Sequence, residues 1–112
     1  MSQITTHVLD TTIGKPGEGI LIQLQENKND QWQTIAEGTT NADGRIADLL
    51  DKETVLQPAI YRMLFHTGKY FTSKNQKAFY PIVMIHFETI DESHYHIPLL
   101  LNPFGYSTYR GS

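Results

Sequence analysis

The chain has 112 residues, enough for one domain, 1–112, with one hydrophobic core. Nine Lys and Arg against twelve Asp and Glu leave a net charge of -3, which argues against a surface built to neutralise nucleic-acid phosphates. The longest apolar runs are only four or five residues, such as Ile82–Ile85, so no membrane-spanning helix is expected, and no signal-peptide pattern opens the chain, so a cytoplasmic protein is expected. The absence of cysteine excludes disulfides, a thiolate nucleophile and cysteine-based zinc sites.

Alternation of apolar and polar residues dominates, and alternation is the signature of strands. Ile4–Asp10 sets Ile4, Thr6 and Val8 against Thr5, His7 and Leu9. The Gly14–Gly19 stretch breaks the pattern. Ile20–Gln25 alternates again, Asn27–Asp30 turns, and Trp32–Gly38 returns as a hairpin partner. A second turn, Asn41–Gly44, carries Asp-Gly at its tip. Leu49–Val55 reads as loop, and Pro58 stops any helix there. Ile60–His66 is a strand, and Lys69–Gln76 makes one short helix within Gly68–Lys77. Pro81–Thr89 is the most buried-looking strand of the chain. His94–Leu101 and Phe104–Arg110 are the last two strands, separated by Asn102-Pro103. Seven or eight short strands with at most one helix define an all-β sandwich or small barrel.

Successive strand side chains point to opposite faces. Tyr95, Ile97, Leu99 and Leu101 form a core face, which turns His94, His96, Pro98 and Leu100 the other way. Ile4 and Val8 likewise turn His7 and Leu9 away from the core. Two outward leucines on such faces call for cover, and a second subunit would supply it. A cleft between subunits would then hold the histidines. His94 and His96 stand at i and i+2, a spacing that suits a metal, with His7 as a further ligand of a three-histidine zinc site. The competing reading is a polar strand face. Arg45, after the Asp-Gly turn, is either a solvated charge or a clamp for carboxylate-like oxygens. The strand-favouring residues that run almost to Ser112 are either a ragged tail or a segment tucked into a site. No Gly-x-Ser-x-Gly elbow is present, which argues against a serine nucleophile.

Several motifs together resemble one family. His7–Thr11 with Gly14-Lys15-Pro16, then Thr40–Arg45, then Phe79-Tyr80-Pro81, then His94–Pro103 followed by Tyr106–Ser112, are similar to the 5-hydroxyisourate hydrolases, the transthyretin-like enzymes of purine degradation. The closing Tyr109-Arg110-Gly111-Ser112 is the most specific piece, since the hormone-carrying transthyretins of the same fold lack it. The resemblance implies a transthyretin-like β-sandwich of two four-stranded sheets with one short helix, assembled as a homotetramer, a dimer of dimers, with active sites in the channel between dimers. It implies hydrolysis of 5-hydroxyisourate to 2-oxo-4-hydroxy-4-carboxy-5-ureidoimidazoline without cofactor or metal. It implies His7, His96, Arg45 and Ser112 as catalytic residues, and His7, Arg45, Tyr109, Arg110 and Gly111 as substrate-binding ones. Gly111 would let the chain bend and aim Ser112 and its carboxylate inward. The rival class is a small-ligand carrier, which would not need two histidines and an arginine facing a channel.

Overall fold

The computed structural model describes residues 2–112, so that Met1 lies outside it. Eight strands and one helix follow in order: β1 (Ile4–Asp10), β2 (Lys15–Pro16), β3 (Leu21–Lys28), β4 (Gln31–Thr39), β5 (Ile60–Phe65), α1 (Thr67–Ser73), β6 (Val83–Glu88), β7 (Tyr95–Asn102) and β8 (Gly105–Thr108). They form two four-stranded sheets, ordered β2-β1-β7-β8 and β4-β3-β5-β6. This is the sandwich that the alternation and the family resemblance imply.

The core lies between the sheets and is built from one parity of each strand. Ile4, Val8, Tyr95, Ile97, Leu99 and Leu101 face inward from the first sheet, and Ile22, Leu24, Tyr61, Met63, Phe65 and Val83 from the second. Burying each large aliphatic side chain contributes about 1.5–3 kcal/mol against chain entropy. The β3–β4 hairpin is tighter than the sequence suggests. Lys28 pairs with Gln31, and only Asn29 and Asp30 turn the chain, both at positive φ (55° and 61°). Two such residues make the turn whose twist matches paired strands, and Asn and Asp tolerate it. The Gly14–Gly19 break contains the two-residue β2, which pairs with the end of β1.

Two sequence expectations shift. The helix begins at Thr67 and ends at Ser73, because Asn75 enters the left-handed region (φ 59°) and stops it. The second shift concerns Pro81–Thr89. Its strand, β6, is a sheet edge, with Met84, His86 and Glu88 exposed and only Val83 fully buried. Apolar residues stand on both of its faces, and composition alone cannot separate that pattern from a strand covered on both sides. Edge strand β8 lies on the same flank, since one cavity is lined by Ile85–Glu88 together with Thr108–Arg110. No helix among the described residues is long and apolar enough to cross a membrane.

One buried polar link ties the helix to the first sheet. Asp10, fully buried, accepts a hydrogen bond from the Tyr70 hydroxyl at 2.7 Å and another from the Thr12 amide at 2.9 Å. Burial and the neighbouring carboxylate raise the Tyr70 phenol well above its usual range, so it stays a donor. Tyr70→Phe leaves a buried carboxylate oxygen short of a partner. Urea unfolding is expected to show a loss of about 1–3 kcal/mol, with the circular dichroism of the folded state unchanged.

Candidate active site

The site starts from one parallel pairing. β1 and β7 run side by side with Thr5 opposite His96, His7 opposite Pro98 and Leu9 opposite Leu100. Because the buried parity of β1 is Ile4, Thr6, Val8 and Asp10, the outer face carries Thr5, His7 and Leu9, all half-buried. On β7 the outer face carries half-buried His96 and Leu100, with Pro98 buried between them. His7 and His96 therefore share a face, and the two outward leucines sit directly side by side.

Arg45 reaches this face from a turn. Asn41 Oδ1 accepts from the amides of Asp43 (2.9 Å) and Arg45 (3.2 Å), and Gly44 N donates to the Asn41 carbonyl at 2.9 Å. Gly44 has φ +74°, and a Cβ there would collide with the Val8 carbonyl oxygen. That close approach lets Val8 N donate to the Gly44 carbonyl at 2.9 Å, which clips the turn against β1 next to His7. The guanidinium is near enough to act on His96. Burial is the first cause that lowers the His96 pKa from its ordinary value, and the charges of Arg45, His94 and His7 add to it, while a hydrogen bond with the Thr5 backbone works the other way. The ring is thereby kept neutral, the form that accepts a proton.

The β7–β8 register brings in the end of the chain. Leu99 pairs with Thr108 and Leu100 with Ser107, and the same ladder continues to a bridge between His96 and Gly111, whose amide donates to the His96 carbonyl at 2.8 Å. Ser107 falls beside Leu100, and Tyr109, 60% exposed, falls opposite Pro98 on the outer parity. Gly111 does not serve as the expected bend, since the glycines at positive φ are Gly14, Gly19 and Gly44. It is needed for closeness: a Cβ at Gly111 would stand 2.5 Å from His96 Cδ2 and 3.1 Å from Pro98 Cγ. Arg110 takes the opposite parity and lies 4.5 Å over the ring of Tyr95, away from His7 and Arg45. Ser112 follows, exposed. The structure thus gathers His7, Arg45, His96, Tyr109 and Gly111 on or beside one face, and sets Arg110 toward the gap between the sheets.

The sequence left Thr5 without a role, yet it stands between two histidines. Its hydroxyl is 2.7 Å from His94 Nε2 and 2.7 Å from His96 Nδ1, and the two rings stack at 6.1 Å. One nitrogen of each ring, Nε2 of His94 and Nδ1 of His96, is thus engaged by this hydroxyl. No group of three or more His, Asp or Glu side chains among the described residues has the arrangement of a metal site. The only signal in the sequence was the parity that Thr5 shares with His7.

A transthyretin-like sandwich whose outer sheet face gathers two histidines and an arginine defines the class. The family model described as the HIUase/Transthyretin family matches residues 4–111, and the chain belongs to that family. It is 44% identical over 115 residues to 5-hydroxyisourate hydrolase 2 of Rhizobium meliloti, covering 98% of this chain and 96% of that one. Among solved structures it resembles the Klebsiella pneumoniae 5-hydroxyisourate hydrolase, with a TM-score of 0.85 and 35% identity over 100% of this chain and 94% of that one. It also resembles sea bream transthyretin in complex with thyroxine, with a TM-score of 0.91 and 28% identity over 97% and 94% of the two chains. One backbone is thus shared with a 5-hydroxyisourate hydrolase and with a thyroxine-bound transthyretin, so function has to be argued from side chains.

A histidine NMR titration checks the electrostatics of the face. The His96 midpoint is expected below the ordinary imidazole value of about 6.5, and Arg45→Gln is expected to raise it.

Proposed function

We propose that this protein hydrolyses 5-hydroxyisourate to 2-oxo-4-hydroxy-4-carboxy-5-ureidoimidazoline in urate degradation, with His7, Arg45 and His96 as its working groups. The observation that carries this reading is the convergence of those three side chains on one face, with Gly111 closed against the His96 ring. Relatives bearing the name 5-hydroxyisourate hydrolase support it. An apolar carrier face would gain nothing from two imidazoles and a guanidinium, whose desolvation costs free energy.

Ring opening adds water to an acyl carbon and expels a ring nitrogen. A neutral imidazole takes one proton from the attacking water as the C–O bond forms. The acyl oxygen becomes an oxyanion, and Arg45 stabilises that charge while holding the substrate's oxygens. The carbon–nitrogen bond then breaks, and the nitrogen takes back the proton. We assign the base to His96, whose lowered pKa favours its neutral form, and to His7 the orientation of the attacking water. Tyr109 and Gly111 border the substrate, the Ser112 hydroxyl that follows them is a further candidate for the site, and Arg110 packs over Tyr95 on the other face of the same segment. The chemistry needs neither cofactor nor metal, and activity is expected to survive prolonged chelation.

The face also supports a homotetramer, a dimer of dimers. Leu9 and Leu100 are register partners on a half-exposed face, a patch that a second copy would cover. Leu100→Arg places an unpaired charge there and is expected to weaken assembly, read as a fall in mass by light scattering. A monomer mass for the wild-type protein at micromolar concentration would overturn the tetramer.

The deciding assay generates 5-hydroxyisourate with urate oxidase and follows its decay with and without this protein. His96→Asn and His7→Asn are each expected to lower turnover by roughly 10²–10⁴-fold with little change in thermal stability. Gly111→Ala should lower it by up to about 10²-fold, through displacement of the His96 ring or of the tail. Because the His96 pKa is lowered, turnover should persist as pH falls through about 6.5 and be lost only below it.

A further inference from the structure

The outer face holds one arrangement that the reaction as described does not use. Thr5 lies directly opposite His96 in the β1–β7 ladder, and its hydroxyl touches two imidazoles at once, at 2.7 Å each. A hydroxyl has one proton to give and lone pairs to accept with. It can donate to only one of the two ring nitrogens, so the other must donate to it. The proton positions of His94 and His96 are therefore coupled through Thr5. We propose that Thr5 and His94 form a proton relay behind His96, in which Thr5 holds Nδ1 of His96 and His94 stores the proton that Nε2 of His96 draws from water. The proposal rests on the hydrolase reading above and deepens it.

The settings of the relay follow from balance. Nδ1 of His96 is the nitrogen on Thr5, so Nε2 is the one left for water. For Nε2 to accept a proton, its lone pair must be bare and Nδ1 must carry the hydrogen. Nδ1–H then donates to Thr5 Oγ1, and the Thr5 hydroxyl donates to Nε2 of His94. When water gives a proton to Nε2 of His96, the Nδ1 proton moves to Thr5 and the Thr5 proton moves to His94. His96 ends neutral with its hydrogen on Nε2, and His94 ends as the imidazolium. One proton has entered and one positive charge has moved back by one ring. When the departing ring nitrogen takes the Nε2 proton, the same two hops run in reverse. The relay converts His96 from base to acid without leaving a charge on it.

The surroundings favour that displacement. His96 faces Arg45 and His7, and a proton held there would sit against the guanidinium. His94 borders a shallow surface depression on its other side, together with Lys52 and Glu92. A charge stored on His94 thus lies at a solvent-open depression lined by one carboxylate and one ammonium. Thr5 is a positioning residue in this scheme, since it acts through His96 and not on the substrate.

The test measures kcat and KM across pH for wild type, Thr5→Val, Thr5→Ser and His94→Gln, each at matched assembly. Thr5→Val keeps the shape and loses the hydroxyl; kcat is expected to fall about 10–100-fold while KM stays within about threefold. Thr5→Ser, which restores the hydroxyl, should recover most of that loss. In His94→Gln the amide oxygen still accepts from Thr5 but cannot store a proton. This variant should lose about tenfold in kcat and one ionisation from the kcat–pH profile. Full kcat in Thr5→Val overturns the relay, as does a Thr5→Ser no better than Thr5→Val, or a His94→Gln with wild-type kcat and profile. Should Thr5→Val fail to fold, Thr5→Ser and His94→Gln decide the matter between them. A wild-type protein inert toward 5-hydroxyisourate overturns the hydrolase reading and the relay with it, whereas an active wild type with unaffected variants overturns the relay alone.

Discussion

The parallel pairing of β1 with β7 is the constraint on which the site depends. Its register sets Thr5 against His96 and His7 against Pro98, and so decides that both histidines look outward while Val8 and Leu99 look inward. A slip of one residue in β7 would send His96 into the core and Leu99 onto the face. The apolar parity of the core forbids that slip, because every inward position of the two strands is already filled by a buried side chain. The site needs no separate energetic device to hold its histidines. The burial that holds the sandwich together also aims them.

Around that pairing the remaining parts are clipped on by backbone. Gly44 approaches the Val8 carbonyl too closely for any side chain at that position, which places the turn that carries Arg45 against β1. Gly111 approaches His96 in the same manner from the other side. In both places a glycine is required for proximity, and hydrogen bonds to the backbone of β1 or β7 fix the approach. Two loops without regular structure of their own thereby gain the precision of the strands they touch.

Much of this was legible in the sequence, for a physical reason. Alternation reports which side chains are buried, and it correctly turned His7, Leu9, His96 and Leu100 away from the core. The motif Asn41-Ala42-Asp43-Gly44-Arg45 announced its turn. Three matters were hidden. Thr5 looked like an ordinary strand residue, because the contact that matters lies 91 residues away. The spacing of His94 and His96 left a ligand pair open beside a plain polar strand face, since spacing gives proximity but not what stands between two rings. β6 looked like the most buried strand, since apolar residues on both faces of an edge resemble a covered strand. Each of these gaps arises where a residue's role is set by a neighbour distant in sequence.

The two halves of the sandwich also differ in how far apart their partners lie along the chain. The β3–β4 hairpin closes on the two residues Asn29 and Asp30, and hairpins of this kind form in about 1–10 μs. The β1–β7 ladder can form only after nearly the whole chain has been brought round, and closing a loop of about 90 residues costs about 4 kcal/mol of chain entropy beyond a constant. The sheet without the site is therefore expected to nucleate early, and the sheet with the site to close last. A chain caught partway would own its scaffold and none of its chemistry, so the appearance of activity during refolding would time the final step and not the first.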